Sequence, residues 1–322
     1  MTKVLVYGWY HQGNTGDDLF IEAFCHLFPD YQFIFTDSIS LDKLTDIDAV
    51  FFGGGSFLLD RPNITSDSLL ALANRKVFYL GVGVEADIHP THQEIMSHAT
   101  LIATRSPEQV ERLKILNSNV TLIPDLVYSL QSKLNKPTKI SKSVLVMTNI
   151  AVVPNNSDPH WKHASWDYFK SEFGQFLDWL IESGYRPQLF SMCRGLNLSD
   201  DWASAELVAA MSRRSRNRIM TETPVGIKEI LDLVARHELI ITQRFHGIVL
   251  AEMTRTPYIA IHHHDKLKFS QPNEGTFLSY YNSSKQSYIS AFEQTIKMEF
   301  SNTLPIESTI FEAFAKEVAN LI

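Results

Sequence analysis

A chain of 322 residues with 44% hydrophobic and 20% charged side chains has the composition of an ordinary globular protein, long enough for two domains, which excludes a disordered or fibrous polypeptide. The formal net charge of -7 leaves no basic surplus for nucleic acid, so an anionic substrate must be held by local arginine, lysine and backbone N–H groups. Two cysteines, Cys25 and Cys193, form no CxxC pair, which argues against a disulfide framework and for a reducing, cytoplasmic setting.

The apolar run at residues 1–8 is too short for a signal peptide and reads as a first strand, and no run approaches the ~20 residues of a membrane span. In the first half, strands are expected at 4–7, 33–36, 49–52, 77–80, 101–103 and 120–123, with helices at 18–28, 91–99 and 107–116. Cys25 falls in the first helical pattern and reads as a buried thiol. Residues 131–142 are polar and aperiodic, with lysines and a proline, and read as a linker. The alternation then restarts, with strands at 143–147, 187–192, 218–220, 239–242 and 258–261 and helices at 166–183, 201–212, 225–236 and 247–254. The basic cluster Arg213, Arg214, Arg216 and Arg218 reads as a solvent-facing helix end. In residues 306–322, Ile310, Phe311, Phe314, Val318, Leu321 and Ile322 recur at helical spacing, which predicts a helix packing on the core, back across the domain junction.

Short strands alternating with helices imply parallel sheets with crossover helices. The expected fold class is α/β, with two Rossmann-like domains, residues 1–130 and 143–305, facing across a cleft. Open α/β sheets bind ligands at the carboxyl ends of their strands, and the chemistry-bearing residues of this sequence gather at those positions.

Arg244-Phe245-His246-Gly247 follows the apolar run at 239–243 and opens a helical stretch. A permanently charged fork stands there beside a group that exchanges protons near neutral pH. Gly13, Asn14, Gly16 and Asp17 follow the first strand, where glycine permits close backbone approach and a helix N-terminus favours an anion. That loop is neither GxGxxG nor a Walker A sequence, and Asp17 also reads as a helix cap. Gly53, Gly54 and Gly55 follow the third strand, as either a tight turn or a substrate approach. Arg105 and Asp125 end later strands. Arg105 reads equally as a surface arginine, and Asp125 as a base or a structural acceptor. His262, His263 and His264 tempt a metal reading, but side chains of an extended segment alternate in direction and no HExxH is present, so no metal is expected. Lys266, beyond them, is a mobile point charge suited to phosphate.

Together these elements resemble the polysaccharide pyruvyl transferase family. The resemblance rests on Gly13-Asn14-Thr15-Gly16-Asp17, Gly53-Gly54-Gly55, Gly81-Val82-Gly83, Arg105, Pro124-Asp125, Arg244-Phe245-His246-Gly247 and Asp265-Lys266, in the family's order over roughly residues 1–270. It implies a GT-B-like pair of Rossmann-type domains and transfer of pyruvate from phosphoenolpyruvate onto two hydroxyls of a sugar, as a cyclic ketal, with no redox cofactor. It further implies that Arg105 and Arg244 hold the phosphate and carboxylate of the donor, that Lys266 adds to the anion site, and that His246 transfers a proton or hydrogen-bonds the donor. Gly13, Asn14, Gly16, Asp17, Gly54, Gly55, Asp125 and Phe245 become substrate-binding candidates. The acceptor is a sugar or a lipid-linked oligosaccharide, the latter bringing the protein to a membrane surface. Two other functions fit the same pattern, a GT-B glycosyltransferase using a nucleotide sugar and a non-catalytic carbohydrate-binding protein.

Overall fold

The apolar runs of the first half become β1 (Lys3–Tyr7), α1 (Thr15–Leu27), β2 (Gln32–Thr36), α2 (Leu41–Leu44), β3 (Ala49–Gly53), α3 (Ser66–Leu72), β4 (Lys76–Val82), α4 (Pro90–Ser97), β5 (Leu101–Thr104), α5 (Val110–Leu116) and β6 (Val120–Leu122). The second half contributes β7 (Ile140–Met147), α6 (His160–Glu182), β8 (Arg186–Phe190), α7 (Asp200–Ala210), α8 (Arg213–Arg216), β9 (Met220–Glu222), α9 (Ile227–Arg236), β10 (His237–Thr242), α10 (Phe245–Met253), β11 (Tyr258–His262), β12 (Thr276–Ser279), α11 (Lys285–Thr295) and α12 (Ser308–Leu321). This computed structural model describes residues 1–56, 62–84, 87–134, 138–195, 199–224, 226–263, 275–298 and 306–322.

The chain divides into two units, Met1–Ser132 with Ile306–Ile322, and Lys133–Pro305. Each holds one six-stranded sheet whose neighbouring strands are parallel. The first sheet runs β2-β1-β3-β4-β5-β6 and reverses direction of progression between β1 and β3. The second runs β12-β11-β10-β7-β8-β9, the doubly wound order, and reverses between β10 and β7. The carboxyl ends of strands at such a reversal diverge around a crevice, which is where this architecture places a ligand.

In the first unit, one sheet face buries Leu5, Tyr7, Val50, Phe52, Val77, Tyr79 and Ile102 among Leu72, Ile95, Met96 and Leu113 of the covering helices. On α1, Phe24 lies 6.0 Å from the Phe51 ring and 6.1 Å from Phe33. The last helix, α12, packs on α1 and buries Phe311, Phe314 and Val318. Lys76 Nζ donates to the carbonyls of Leu321 at 2.7 Å and Ile322 at 2.8 Å, the cation a helix C-terminus favours. In the second unit, α6 buries Trp166, Phe169, Phe173, Phe176, Leu177 and Leu180 against Val144, Val146, Leu239 and Ile241 of the sheet.

Several expectations need correction. The stretch 131–142 carries structure at both ends: Gln131 is buried in a 3-10 segment, Leu126–Lys133, and β7 begins at Ile140. Cys25 is exposed, because α1 buries Phe20, Ala23 and Phe24, and the next residue turns away from that stripe. Asn14, not Asp17, caps α1, accepting from Gly16 N at 3.3 Å. The basic cluster faces solvent as expected but, instead of ending the preceding helix, Arg213–Arg216 forms its own short helix behind the Ser212 cap, and Arg216 Nη2 turns back onto the carbonyls of Ala209 and Met211, both at 2.8 Å. Sequence reading passed over α3, β12 and α11, and placed β9 two residues too early. Among the described residues no helix is long and apolar enough to cross a membrane.

Two buried histidines make the fold sensitive to acid. His92 lies under Phe52 and Tyr79, its Nδ1 3.1 Å from the Tyr79 hydroxyl. His237 spans Leu233 O at 2.6 Å and Gln188 Oε1 at 2.9 Å. Burial pushes each pKa down to about 4. The unfolded chain therefore takes up these protons near pH 6.5 while the fold refuses them until about 4, so stability is full above pH 6.5 and falls as pH drops through that window. Each histidine is expected to contribute on the order of 3 kcal/mol to the loss. Urea unfolding at pH 7 and pH 4.5 checks this, and His92→Phe should flatten the pH dependence of the first unit.

Candidate active site

In the first unit the loops after β1, β3, β4, β5 and β6 supply the candidate residues. Gly13 leads into the Asn14 cap, and Asn14 Nδ2 donates to Asp17 Oδ2 at 2.5 Å, so the first turn of α1 holds its own acid in place. The neighbouring Asp18 accepts from His11 N at 2.8 Å, and burial raises its carboxyl pKa against the opposing pull of that bond and of the His11 ring. Tyr10 is buried beneath the same loop and donates to Gly53 O at 2.5 Å, with burial and then Asp17 and Asp18 holding its hydroxyl protonated. Gly54 N bonds Leu80 O at 3.1 Å, and Gly83 N bonds Gly55 O at 2.9 Å, tying the β3 and β4 loops together. Gly55 is required where it stands. Its φ of +76° belongs to the left-handed region, and a Cβ would sit 2.8 Å from Asp17 Oδ1.

Arg105 leaves β5 with its side chain 8% exposed. Its Nη1 is ion-paired with Asp125 Oδ2, and its Nη2 reaches Ser56 Oγ at 3.3 Å. Asp125 is buried, and its second oxygen accepts from Val127 N at 2.9 Å. This carboxylate therefore acts as a structural acceptor for a buried guanidinium. The first unit thus joins Asn14, Asp17, Gly55, Ser56, Arg105 and Asp125 along one sheet edge.

In the second unit, Arg244 is the N-cap residue of α10, directly after β10. Its Nε donates to Asp200 Oδ2 at 3.1 Å and its Nη2 is ion-paired with Asp200 Oδ1. Asp200 also accepts from Ile150 N and Cys193 N, both at 2.9 Å. Gln243 Oε1 accepts from Asn149 N at 3.0 Å, which ties the end of β10 to the end of β7 at the reversal of the sheet. Phe245 and His246 form the first turn of α10, where backbone N–H groups lack intrahelical acceptors. His246 is 91% buried, with the Phe245 ring edge-on at 5.4 Å. Gly247 lets α10 start this close to the sheet, since a Cβ would collide with Thr242 Oγ1 and stand 2.9 Å from Met147 Sδ. His262 ends β11 and His263 follows it, whereas His264 and Lys266 lie outside the described residues.

Sequence reasoning missed Asp200, Asn149 and Gln243. Asp200 and Asp201 open α7 behind the Ser199 cap, a pattern that reads as ordinary helix-start chemistry. Nothing in the sequence shows that one of these acids meets an arginine 44 residues away.

The doubly wound pair of parallel sheets defines a GT-B-like α/β fold, and solved structures of that fold align with the chain. UDP-GlcNAc 2-epimerase from Methanocaldococcus jannaschii superposes with a TM-score of 0.64 over 99% of this chain and 100% of that one at 12% identity. The S. aureus MnaA structure with UDP gives 0.65 over 100% and 98% at 12% identity, and the Rickettsia bellii UDP-N-acetylglucosamine 2-epimerase gives 0.59 over 99% and 96% at 11%. At such identity the likeness shows the fold. No curated protein matches the sequence. The family profile for polysaccharide pyruvyl transferases matches residues 14–265, and the chain belongs to that family.

Removing one member of a buried ion pair strands the other charge, at a cost of about 3–5 kcal/mol. Asp125→Ala is therefore expected to lower the unfolding free energy of the first unit by that order, and Arg105→Met in the same chain should restore most of it. Urea denaturation of the two variants measures both effects.

Proposed function

We propose that the protein transfers pyruvate from phosphoenolpyruvate onto two hydroxyls of a sugar, forming a cyclic ketal. The observation that carries this reading is the turn Arg244-Phe245-His246-Gly247, set by Gln243 and Asn149 at the reversal of the second sheet, in a chain of the pyruvyl transferase family. Arg244 and the first N–H groups of α10 supply directed donors for the phosphate or carboxylate of the donor. His246 handles the proton. Arg105 is committed to Asp125 and Ser56, so we place the anion contact on Arg244 and give Arg105 the bracing of its loop. Asn14, Asp17, Gly54 and Gly55 offer a polar edge for sugar hydroxyls, and the family resemblance assigns Lys266 to the anion site. The acceptor is a sugar or lipid-linked oligosaccharide, met on the cytoplasmic side of the membrane.

The chemistry balances with these groups. A proton adds to the methylene carbon of the donor, and the double-bond electrons form that C–H bond, leaving C2 oxocarbenium-like. One sugar hydroxyl attacks C2 and gives up its proton. The C2–O bond to phosphate breaks, the second hydroxyl closes the ring at C2, and one of the two hydroxyl protons leaves with the phosphate. Proton transfer by a positioned side chain contributes about 10²–10⁴-fold, and fixed cations around the departing phosphate stabilise charge without reorganisation.

A nucleotide-sugar-dependent transferase is the second reading, favoured by the end-to-end superposition on a structure solved with UDP. Incubation with phosphoenolpyruvate and an oligosaccharide acceptor should release inorganic phosphate and give a pyruvyl ketal by mass spectrometry. Stabilisation by nucleotide sugars but not by phosphoenolpyruvate would select the second reading. His246→Asn is expected to reduce turnover by roughly 10²–10⁴-fold with little change in melting temperature.

A further inference from the structure

We propose that Asp200 is the positioning residue of the Arg244 anion site, acting by fixing which edge of the guanidinium a ligand can meet. The identity of the ligand rests on the donor reading above; the positioning rests on geometry alone. Four donors surround the Asp200 carboxylate, which is fully buried: Arg244 Nε at 3.1 Å, Arg244 Nη2, Ile150 N at 2.9 Å and Cys193 N at 2.9 Å. Two donors fall on each oxygen. A carboxylate so occupied has its acceptor positions filled and nothing left with which to take a substrate proton. Its work is orientation.

A guanidinium has two useful edges. Nε and one Nη form the side-on edge, and the two Nη atoms form the end-on edge. Asp200 takes the side-on edge of Arg244. Nη1 has no partner among the described residues, and the side chain is 17% exposed, so the end-on edge is the one left for an oxyanion. Arg105 is held the opposite way, with its end-on pair given to Asp125 and Ser56. The two arginines are thus fixed by different edges, Arg244 by its side-on edge and Arg105 by its end-on pair.

Asp200 also decides where that fork stands. Ile150 follows β7, Cys193 follows β8 and Arg244 follows β10, and these strands are adjacent in the order β10-β7-β8. Asp200 N returns a bond to Cys193 O at 2.8 Å, so the loop after β8 closes on the same residue. One carboxylate therefore pins three strand-end loops and the guanidinium together. The ion pair is neutral as a whole, so the ligand is recognised by a directed pair of N–H groups and by the start of α10 rather than by a bare positive charge. A lysine at position 244 would keep the charge and lose the directed edge.

The test is titration calorimetry of the full chain with phosphoenolpyruvate, for wild type, Asp200→Asn and Arg244→Lys, with circular dichroism and melting temperature recorded for each. Both variants are expected to bind roughly tenfold or more weakly, since small misplacements of a positioned group have effects of this size. Binding by Arg244→Lys within about threefold of wild type overturns the proposal, because a point charge would then suffice. If Asp200→Asn does not fold, Arg244→Lys decides alone, since it leaves Asp200 and its two backbone donors in place. A wild-type chain that does not bind phosphoenolpyruvate overturns the donor reading instead. The positioning claim is then read without a ligand, from the Arg244 Nε–H signal in 15N-arginine-labelled protein. Slow solvent exchange in wild type and fast exchange in Asp200→Asn support it, and wild-type exchange as fast as that of exposed arginines overturns it.

Discussion

A guanidinium that leaves water needs a carboxylate, because an unpaired charge is among the costliest things a fold can bury. Both units meet this constraint in the same way. Each places an arginine after an inner strand of its sheet and answers it with a buried aspartate, Asp125 for Arg105 and Asp200 for Arg244. The rest of each strand-end network follows from these pairs. Asp125 sets Arg105, which reaches Ser56 in the loop after β3, and Asp200 gathers the loops after β7, β8 and β10. The difference lies in which edge of each fork is consumed. Asp200 takes the Nε–Nη2 edge of Arg244, whereas Asp125 and Ser56 take the two Nη atoms of Arg105.

The two sheets are built from the same alternation but wound differently. The reversal in the first falls between β1 and β3, where the Asn14–Asp17 turn and the Gly53–Gly55 loop meet. In the second it falls between β7 and β10, where Gln243 grips Asn149. Two solved UDP-N-acetylglucosamine 2-epimerases share the fold end to end at about a tenth of residues identical, so the architecture by itself does not fix the chemistry.

Sequence alone makes the scaffold readable because parallel strands buried on both faces are written as short apolar runs, and eleven of the strands stand close to such runs. β12 escaped because Thr276-Phe277-Leu278-Ser279 is a half-buried edge with no apolar continuity. The arginine–histidine turn was legible because its residue types carry chemistry at a strand end. Asp200 was not, since a carboxylate in a first helical turn has a sufficient local explanation, and its long-range partner exists only after folding. The same holds for Arg105. Its position was readable, but its commitment to Asp125 depends on two loops 20 residues apart closing on each other. Cys25 was misjudged by one step around α1, the angular error that a helical pattern leaves open.

Phe311, Phe314 and Val318 complete the core of the first unit, yet they are encoded after the whole of the second. On a ribosome the first sheet therefore emerges long before its closing helix exists. Until then the face that α12 covers is exposed apolar surface, offered to chaperones or to neighbouring nascent chains. The second unit is contiguous in sequence and meets no such delay. Order of synthesis and order of completion are inverted in this chain, and any slow step in maturation should fall on the half made first.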